Sequence, residues 1–572
     1  MHQQPDKAIL TSRLDRPYDD SITLVASKRF VVSRDTLDDI DIYTYFFADH
    51  AGQSTAYIEG AKHYLRLYQS LIGKYPYKRF SIVENSMSSA FSMPTFILMT
   101  EKYVRAGITD ETPLGHEILH QWFGNSVFAD YSKGNWHEGL TIYLADHLQE
   151  ETRKKDMDCR KRILMGYENY VRDNNEFSLS KFTERFDYAS RSIGYGKSAM
   201  VFHMLRKKFG DEAFYGAIRR FVKEHSFHVT SWDDLRKAFE NTTGQDLTAY
   251  FQQWVYDTGI ADLDITDIQI DRKAHDYEVR FSILQKKKAY QISIPVTFYF
   301  NNYKEVRSLD ISESRTSFAF MFDKPPIEIV LDEEYDVFRR LSGKEKPPMI
   351  ETLITDDKSI IVLPASAASA YAELIAAFGE KGTVLQFMKD RPDATRKRGG
   401  GRVDRMSLQR MSDHERRERQ SHGRMTAPRQ KVRRSDSTVS WTKAMQPGLR
   451  RQCLQRNPQR LNDTDLTSAS LLVIGLDNPI LKRLQIEAPT LDVGFRITVM
   501  KNPLNVNRVV AIAAGKSSDE IAAAQRQIAD YRKYSTLSFD KGKLVNKSLE
   551  KSDSGIRRSL ANTIIIPTTP LK

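Results

Sequence analysis

Cysteine is nearly absent from this chain. Among 572 residues only Cys159 and Cys453 are cysteine, too few and too far apart for a disulfide framework or a thiolate zinc site. Two isolated thiols fit a reducing compartment without requiring one. Long apolar runs are missing as well, and no stretch reaches the roughly 18 residues that a membrane-spanning helix needs. Met1 to Lys7 lead into no apolar core, so no signal peptide is read there and a cytoplasmic location is expected, although a longer parent chain could be exported.

An excess of one charge is confined to a single segment. The net charge is +12, which taken alone hints at an acidic partner. Between Arg391 and Arg460, however, twenty Lys and Arg face six Asp and Glu, a net of +14, so the rest of the chain sums to −2. The parts that read as folded lack a basic footprint, and no nucleic-acid partner is expected.

What is present is a succession of different periods, as expected for three or four domains in a chain of this length. Strand-like stretches occur at Ile22–Ala26, from Phe30, and from Ile40 to Phe47, with β-branched and alternating residues. They read as the tail of a larger β domain, so residues 1–43 are taken as its remnant. Residues 44–261 are mostly helical in pattern, with strands near Arg79 and Thr95. Ala56 to Ile72 forms an amphipathic helix stopped by Gly73 and Pro76, and Thr112 with Pro113 opens another. Residues 262–341 return to short alternating strands, which predicts a small β-sandwich. Residues 342–389 and 463–572 alternate strands and helices as an α/β region. Between them, 390–462 is basic, low in complexity and without an apolar period. It reads as a disordered linker, or as an out-of-frame segment interrupting one α/β domain. The expected fold class is multidomain α+β.

The chemistry is carried by His116-Glu117-Ile118-Leu119-His120. Histidines four apart lie on one helix face, so two imidazoles can reach one zinc ion, and Glu117 can act as base toward water at the open position. A chance match on a surface helix is the bland alternative. A catalytic zinc site needs a third protein ligand, and Glu138, in Trp136-His137-Glu138-Gly139-Leu140-Thr141, opens a helical run that can pack beside the first. His137 competes less well, because neighbouring helical residues point about 100° apart, and His147, two turns further on, less still.

At these residues the chain resembles the M1 family of zinc metallopeptidases, the aminopeptidase N and leukotriene A4 hydrolase group. The resemblance implies a thermolysin-like, mostly helical catalytic domain, one Zn²⁺ held by His116, His120 and Glu138, and Glu117 as general base. Seventeen residues separate His120 from Glu138, one fewer than the family's usual spacing, a change that a loop absorbs. Gly194-Tyr195-Gly196-Lys197 matches the family segment whose tyrosine steadies the oxyanion, with Ser198 where glycine is usual. Tyr195 is therefore a candidate catalytic residue and Tyr188 the reserve. The family's Gly-x-Met-Glu-Asn segment, whose Glu holds the substrate's amine, corresponds to Ser89, Ala90, Phe91, Ser92 and Met93. These are candidate substrate-binding residues without a carboxylate, and Glu84 lies nearby at a different offset. The family's N-terminal β domain is mostly missing from this reading.

The expected function is a zinc-dependent aminopeptidase that releases N-terminal residues from peptides. The alternative is a catalytically impaired, truncated relative that binds zinc and peptides without turnover.

Overall fold

The computed structural model describes residues 23, 25–109, 112–378, 384–388, 461–560 and 565–567. The basic segment 390–462 lies outside them except for its last two residues. The chain divides into two compact units, Met1–Thr355 with Leu549–Lys572, and Asp356–Ser548. Both mix helices and sheets, so the fold is multidomain α+β.

The first unit opens with five strands: β1 (Phe30–Leu37), β2 (Ile40–Phe47), β3 (Arg79–Asn85), β4 (Phe91–Met93) and β5 (Phe96–Thr100). They form one sheet in the order β1-β2-β3-β5-β4. This corrects the placement of 1–43 in a separate β domain. β1 pairs with β2, and β2 lies parallel to β3, more than thirty residues on. Pairing across an intervening helix leaves no local mark in the sequence, because a strand's partner is chosen by long-range contact. Thr23 and 25–27 are not in a strand, so the described part of Ile22–Ala26 is loop. The helix Ser54–Ile72 connects β2 to β3 and buries Tyr57, Ala61, Leu65, Tyr68 and Ile72, a stripe of helical period. It stops at Gly73, whose φ of 115° disfavours any side chain.

Helices dominate from Thr112 to Tyr256. Trp122, Trp136, Trp232 and Trp254 are all fully buried among them. Trp136 meets Phe123 and Phe221 edge-on, with ring centroids 5.8 and 5.2 Å apart. These contacts pack the turn after Thr112–Leu119 and the start of the helix His137–Thr141 against the helix Ser198–His225.

Two four-stranded sheets follow. Phe281, Phe298, Phe320 and Phe322 meet between them. Their last strands come from the C-terminal end of the chain: Ile556–Ser559 pairs with Glu328–Leu331, and Ile565–Pro567 lies parallel to Leu263–Arg272. The assignment of the whole of 463–572 to the α/β region is corrected accordingly. Arg557 explains part of the choice, since its guanidinium pairs with Glu328 and Glu333. Those partners lie more than 220 positions away in sequence.

Arg339 closes the loop after the sandwich. It is fully buried, with Nε 2.7 Å from Asp332 and a two-pronged contact to Glu345 at 2.8 and 3.1 Å. Both carboxylates are themselves fully buried. Removing the cation alone leaves two uncompensated charges in a low-dielectric interior. Arg339→Ala is expected to destabilise this unit by about 3–5 kcal/mol, read from the midpoint of urea unfolding. A shift under 1 kcal/mol would mean that water reaches the carboxylates.

The second unit is a seven-stranded sheet in which Ser359–Pro364, Val384–Met388, Ser470–Ile474 and Asn505–Gly515 run parallel, and an antiparallel set follows. Its central strands are nearly continuous apolar runs, as sheets covered on both faces require.

Candidate metal centre and active site

The helix Thr112–Leu119 forms because Leu114, Ile118 and Leu119 present one fully buried face. His116 and Glu117 project from the remainder. His120 follows in the last turn, its amide still bonded to the His116 carbonyl at 3.3 Å, so the i, i+4 relation of the two imidazoles is kept. Glu138 lies on the helix His137–Thr141, which continues through a π-helical turn, Ile142–His147.

Three ligand atoms converge. The Nε2 atoms of His116 and His120 are 3.2 Å apart, and a Glu138 carboxylate oxygen lies 3.8 and 3.5 Å from them. The other ring nitrogens are engaged: His116 Nδ1 lies 2.8 Å from Asp146, and His120 Nδ1 lies 2.9 Å from the Phe123 carbonyl. Both acceptors lack a proton, so each Nδ1 must donate, and each Nε2 turns its lone pair inward. Two facing lone pairs and a carboxylate need a cation between them. Among the described residues, His116, His120 and Glu138 are the group able to hold a metal ion.

Electrostatics agree. Burial works against charge on His116, but the Asp146 carboxylate overrides it and pushes the imidazole up to about 9. Without metal, a proton occupies the place of the ion, and metal loading displaces it. Burial raises the Glu138 carboxyl, but His120, with His137 and His116, more than reverses this and holds it below the usual range. Glu117 is raised by burial, opposed by His116 and His120. That is the direction a proton acceptor needs if it is later to give the proton up.

Tyr195 sits in a second π-helical turn, Ser192–Lys197. Burial, and then the negative charge of the Glu138 carboxylate, keep that hydroxyl protonated far above ordinary pH. The structure therefore brings His116, Glu117, His120, Glu138 and Tyr195 together. Tyr188 is half exposed and stacked on Tyr170 at 4.7 Å. His137 is buried, with Nε2 3.2 Å from the Tyr131 hydroxyl, and burial lowers it to about 4. His147 Nε2 accepts from Arg160 at 2.8 Å.

The stretch Ser89–Met93 contains the edge strand β4. Ser92 does not offer a free hydroxyl. Its oxygen accepts from Gln121 at 2.7 Å and Asn125 at 2.9 Å and donates to the Glu117 carbonyl at 2.9 Å. Gln121 also donates to the Met93 carbonyl and accepts the Thr95 amide. The edge strand is thus tied to the turn that carries His120. Glu84 is buried at 1% exposure, with one oxygen on the Phe47 amide and the other on His50. Neither Ser92 nor Glu84 is available to an ammonium group.

Sequence reasoning missed Asp146, Gln121 and Asn135. Asp146 lies eight residues past Glu138, and the π-turn between them shifts the helix face away from a 3.6-residue period. An acid inside an otherwise apolar helix was the available signal. Lys197 carries a separate consequence. It is fully buried, 3.1 Å from the Asp257 carbonyl, and burial lowers it from 10.5 to about 8. Between these values the unfolded chain holds more protons than the folded one, so stability rises with pH from about 8 to 10.5, by on the order of 3 kcal/mol. Urea unfolding at pH 7.5 and 10 should show this rise relative to Lys197→Met. Parallel pH dependence in both proteins would refute it.

Histidines four apart, a glutamate on a neighbouring helix, a second glutamate beside the pair and a half-buried tyrosine define a metallopeptidase-type site. Residues 59–254 match the Peptidase family M1 domain. The chain is 22% identical over 276 residues to aminopeptidase 2 of Candida albicans, covering 43% of this chain and 28% of that protein. It is 25% identical over 239 residues to aminopeptidase N of Streptomyces lividans, covering 38% and 27%. A crystal structure of Legionella pneumophila aminopeptidase A is similar over 57% of this chain and 39% of its own, at 17% identity and a TM-score of 0.45. The chain thus spans under a third of the length of these two curated relatives. Among the described residues, no helix is long and apolar enough to cross a membrane.

Proposed function

We propose that this chain is a zinc-dependent aminopeptidase with a thermolysin-like catalytic domain, acting on peptides. The observation that carries the reading is the set of separations among the three ligand atoms, 3.2, 3.5 and 3.8 Å. Tetrahedral zinc with bonds near 2.0–2.1 Å sets its ligands roughly 3.3 Å apart. Neutral imidazoles and one carboxylate are the ligand types zinc favours at catalytic sites. When bound, the ion supplies the Lewis acidity that polarises the scissile carbonyl and acidifies water.

The chain's residues do the rest. Glu117 takes a proton from the attacking water and delivers it to the leaving amine. Tyr195 keeps its proton, so its hydroxyl donates to the carbonyl oxygen as negative charge grows there. Asp146 and the Phe123 carbonyl hold both imidazoles in the ligand tautomer. The outer edge of β4, unpaired among the described residues, offers backbone groups along which an extended peptide can align.

One observation favours the alternative, a zinc- and peptide-binding protein without turnover: no free carboxylate lies on β4 for the substrate's amine. The test is hydrolysis of unblocked and N-acetylated aminoacyl arylamides by zinc-loaded protein. Turnover of the unblocked series alone, abolished by a chelator and restored by zinc, is expected. No turnover by folded, zinc-loaded protein would reject the aminopeptidase reading in favour of the alternative.

A further inference from the structure

The segment after Phe182 borders the His and Glu cluster. The carbonyls of Phe182 and Thr183 accept from the backbone and side-chain nitrogens of Asn135 at 2.6 and 3.0 Å. The side-chain oxygen of Asn135 accepts the Glu138 amide at 3.4 Å. The Phe182 ring meets Tyr195 edge-on at 5.9 Å. Held at this point, the chain carries Arg185 along the side of the site, exposed to solvent and near enough to Tyr195 for its charge to act on the hydroxyl. Beside it Phe186 is 72% exposed, an unusual state for so large an apolar ring.

Arg185 makes no hydrogen bond or ion pair with any described residue. Glu184 and Asp187 flank it without pairing, and Asp187 accepts instead from the amide and hydroxyl of Ser190. Arg206, by contrast, is engaged with Glu151 and Asp211, and Arg160 with Asp156. The other polar groups that might read a substrate terminus, Ser92 and Glu84, are already bonded within the protein. Of the two unpaired charges on this segment, Glu184 and Arg185, the cation is the one whose field reaches the Tyr195 hydroxyl.

We propose that Arg185 is a specificity residue that binds a carboxylate of the substrate, so that this site favours peptides with a negative group next to the scissile bond. The proposal rests on the peptidase reading above. If Tyr195 takes the carbonyl oxygen, a guanidinium beside it reaches a carboxylate one or two residues away. That carboxylate is either the C-terminus of a short peptide or an acidic side chain. The planar guanidinium binds it through two parallel hydrogen bonds, and Phe186 gives the adjoining side chain an apolar shelf. Because Arg185 is exposed, the preference is modest, about tenfold, and fades with added salt.

The test measures binding, by calorimetry, to the full zinc-loaded chain carrying Glu117→Gln, which holds peptide without cleaving it. Ala-Ala is compared with Ala-Ala-amide, and Ala-Asp-amide with Ala-Asn-amide. The acid of at least one pair should bind about tenfold tighter, and the pair that shows it identifies the carboxylate's source. Adding Arg185→Gln should erase the difference while leaving the neutral peptides within about twofold. No preference in either pair, or one that survives Arg185→Gln, overturns the proposal. Turnover by the unsubstituted chain is scored separately. A carboxylate preference without turnover rejects the peptidase reading alone, and turnover without the preference rejects the role of Arg185 alone.

Discussion

Glu117→Gln should lower turnover of an unblocked aminoacyl arylamide by about a thousandfold, within the range expected when a general base is lost, while the chain keeps its zinc. Glutamine preserves the shape and the hydrogen-bonding reach of glutamate but cannot hold a proton between two steps. Glu117 is not one of the three converging atoms, so metal content, measured by atomic absorption, should stay near one ion per chain. Its carboxyl is raised by burial, so the acid limb of the pH profile of kcat should lie above the range of an ordinary exposed glutamate, and activity should fall as pH drops through it. Activity within tenfold of the unsubstituted chain would exclude Glu117 as base. Loss of zinc from the variant would show that the carboxylate helps retain the ion.

Gly139→Ala should cost about a hundredfold in kcat/KM and about 1–3 kcal/mol of stability, although it adds only one methyl group. A Cβ at Gly139 would lie 1.8 Å from Ser198 Oγ and 2.1 Å from Ser198 Cβ. The Oγ could turn away about χ1, but the serine Cβ is fixed to its helix and cannot yield. The two helices must separate, and Glu138 stands one residue before the contact on one side and Tyr195 three residues before it on the other. A displacement of about 1 Å between ligand and oxyanion donor is enough for the expected loss. Ser198→Gly in the same chain removes the obstructing atoms and should bring kcat/KM back to within about tenfold. The buried Ser198 hydroxyl has no hydrogen-bond partner, so deleting it leaves no acceptor or donor stranded. If the double variant is no better than Gly139→Ala, the helix contact does not set the geometry.

The two predictions rest on residues of very different legibility. Glu117 stands between two histidines four apart, a string whose chemistry is visible because a helix repeats every 3.6 residues and both imidazoles must share a face. Glu138 and Tyr195 were recognisable through family resemblance and through the helical runs that follow them. Asp146 was not, because it acts through a π-turn whose extra residue no periodic pattern announces. Ser92 read as a substrate contact, yet its hydroxyl is bound to Gln121 and Asn125. Only the packed structure shows whether a polar atom still has a bond to give.

The sequence by itself determined most of the local elements and a metal-ligating pattern: the helix that pairs His116 with His120, the strand runs from Phe30 onward, and the isolation of the basic charge between Arg391 and Arg460. These follow from short-range periodicity and from the chemistry of single side chains. The tertiary structure alone decided that β1 and β2 join the sheet of β4, that Ile556–Ser559 returns to Glu328–Leu331, that Glu84 is engaged by His50, and that Arg185 is left unpaired beside Tyr195. Each of these is a choice of partner across tens or hundreds of residues. Such choices are set by the burial and hydrogen bonding of the whole fold, and no local pattern encodes them.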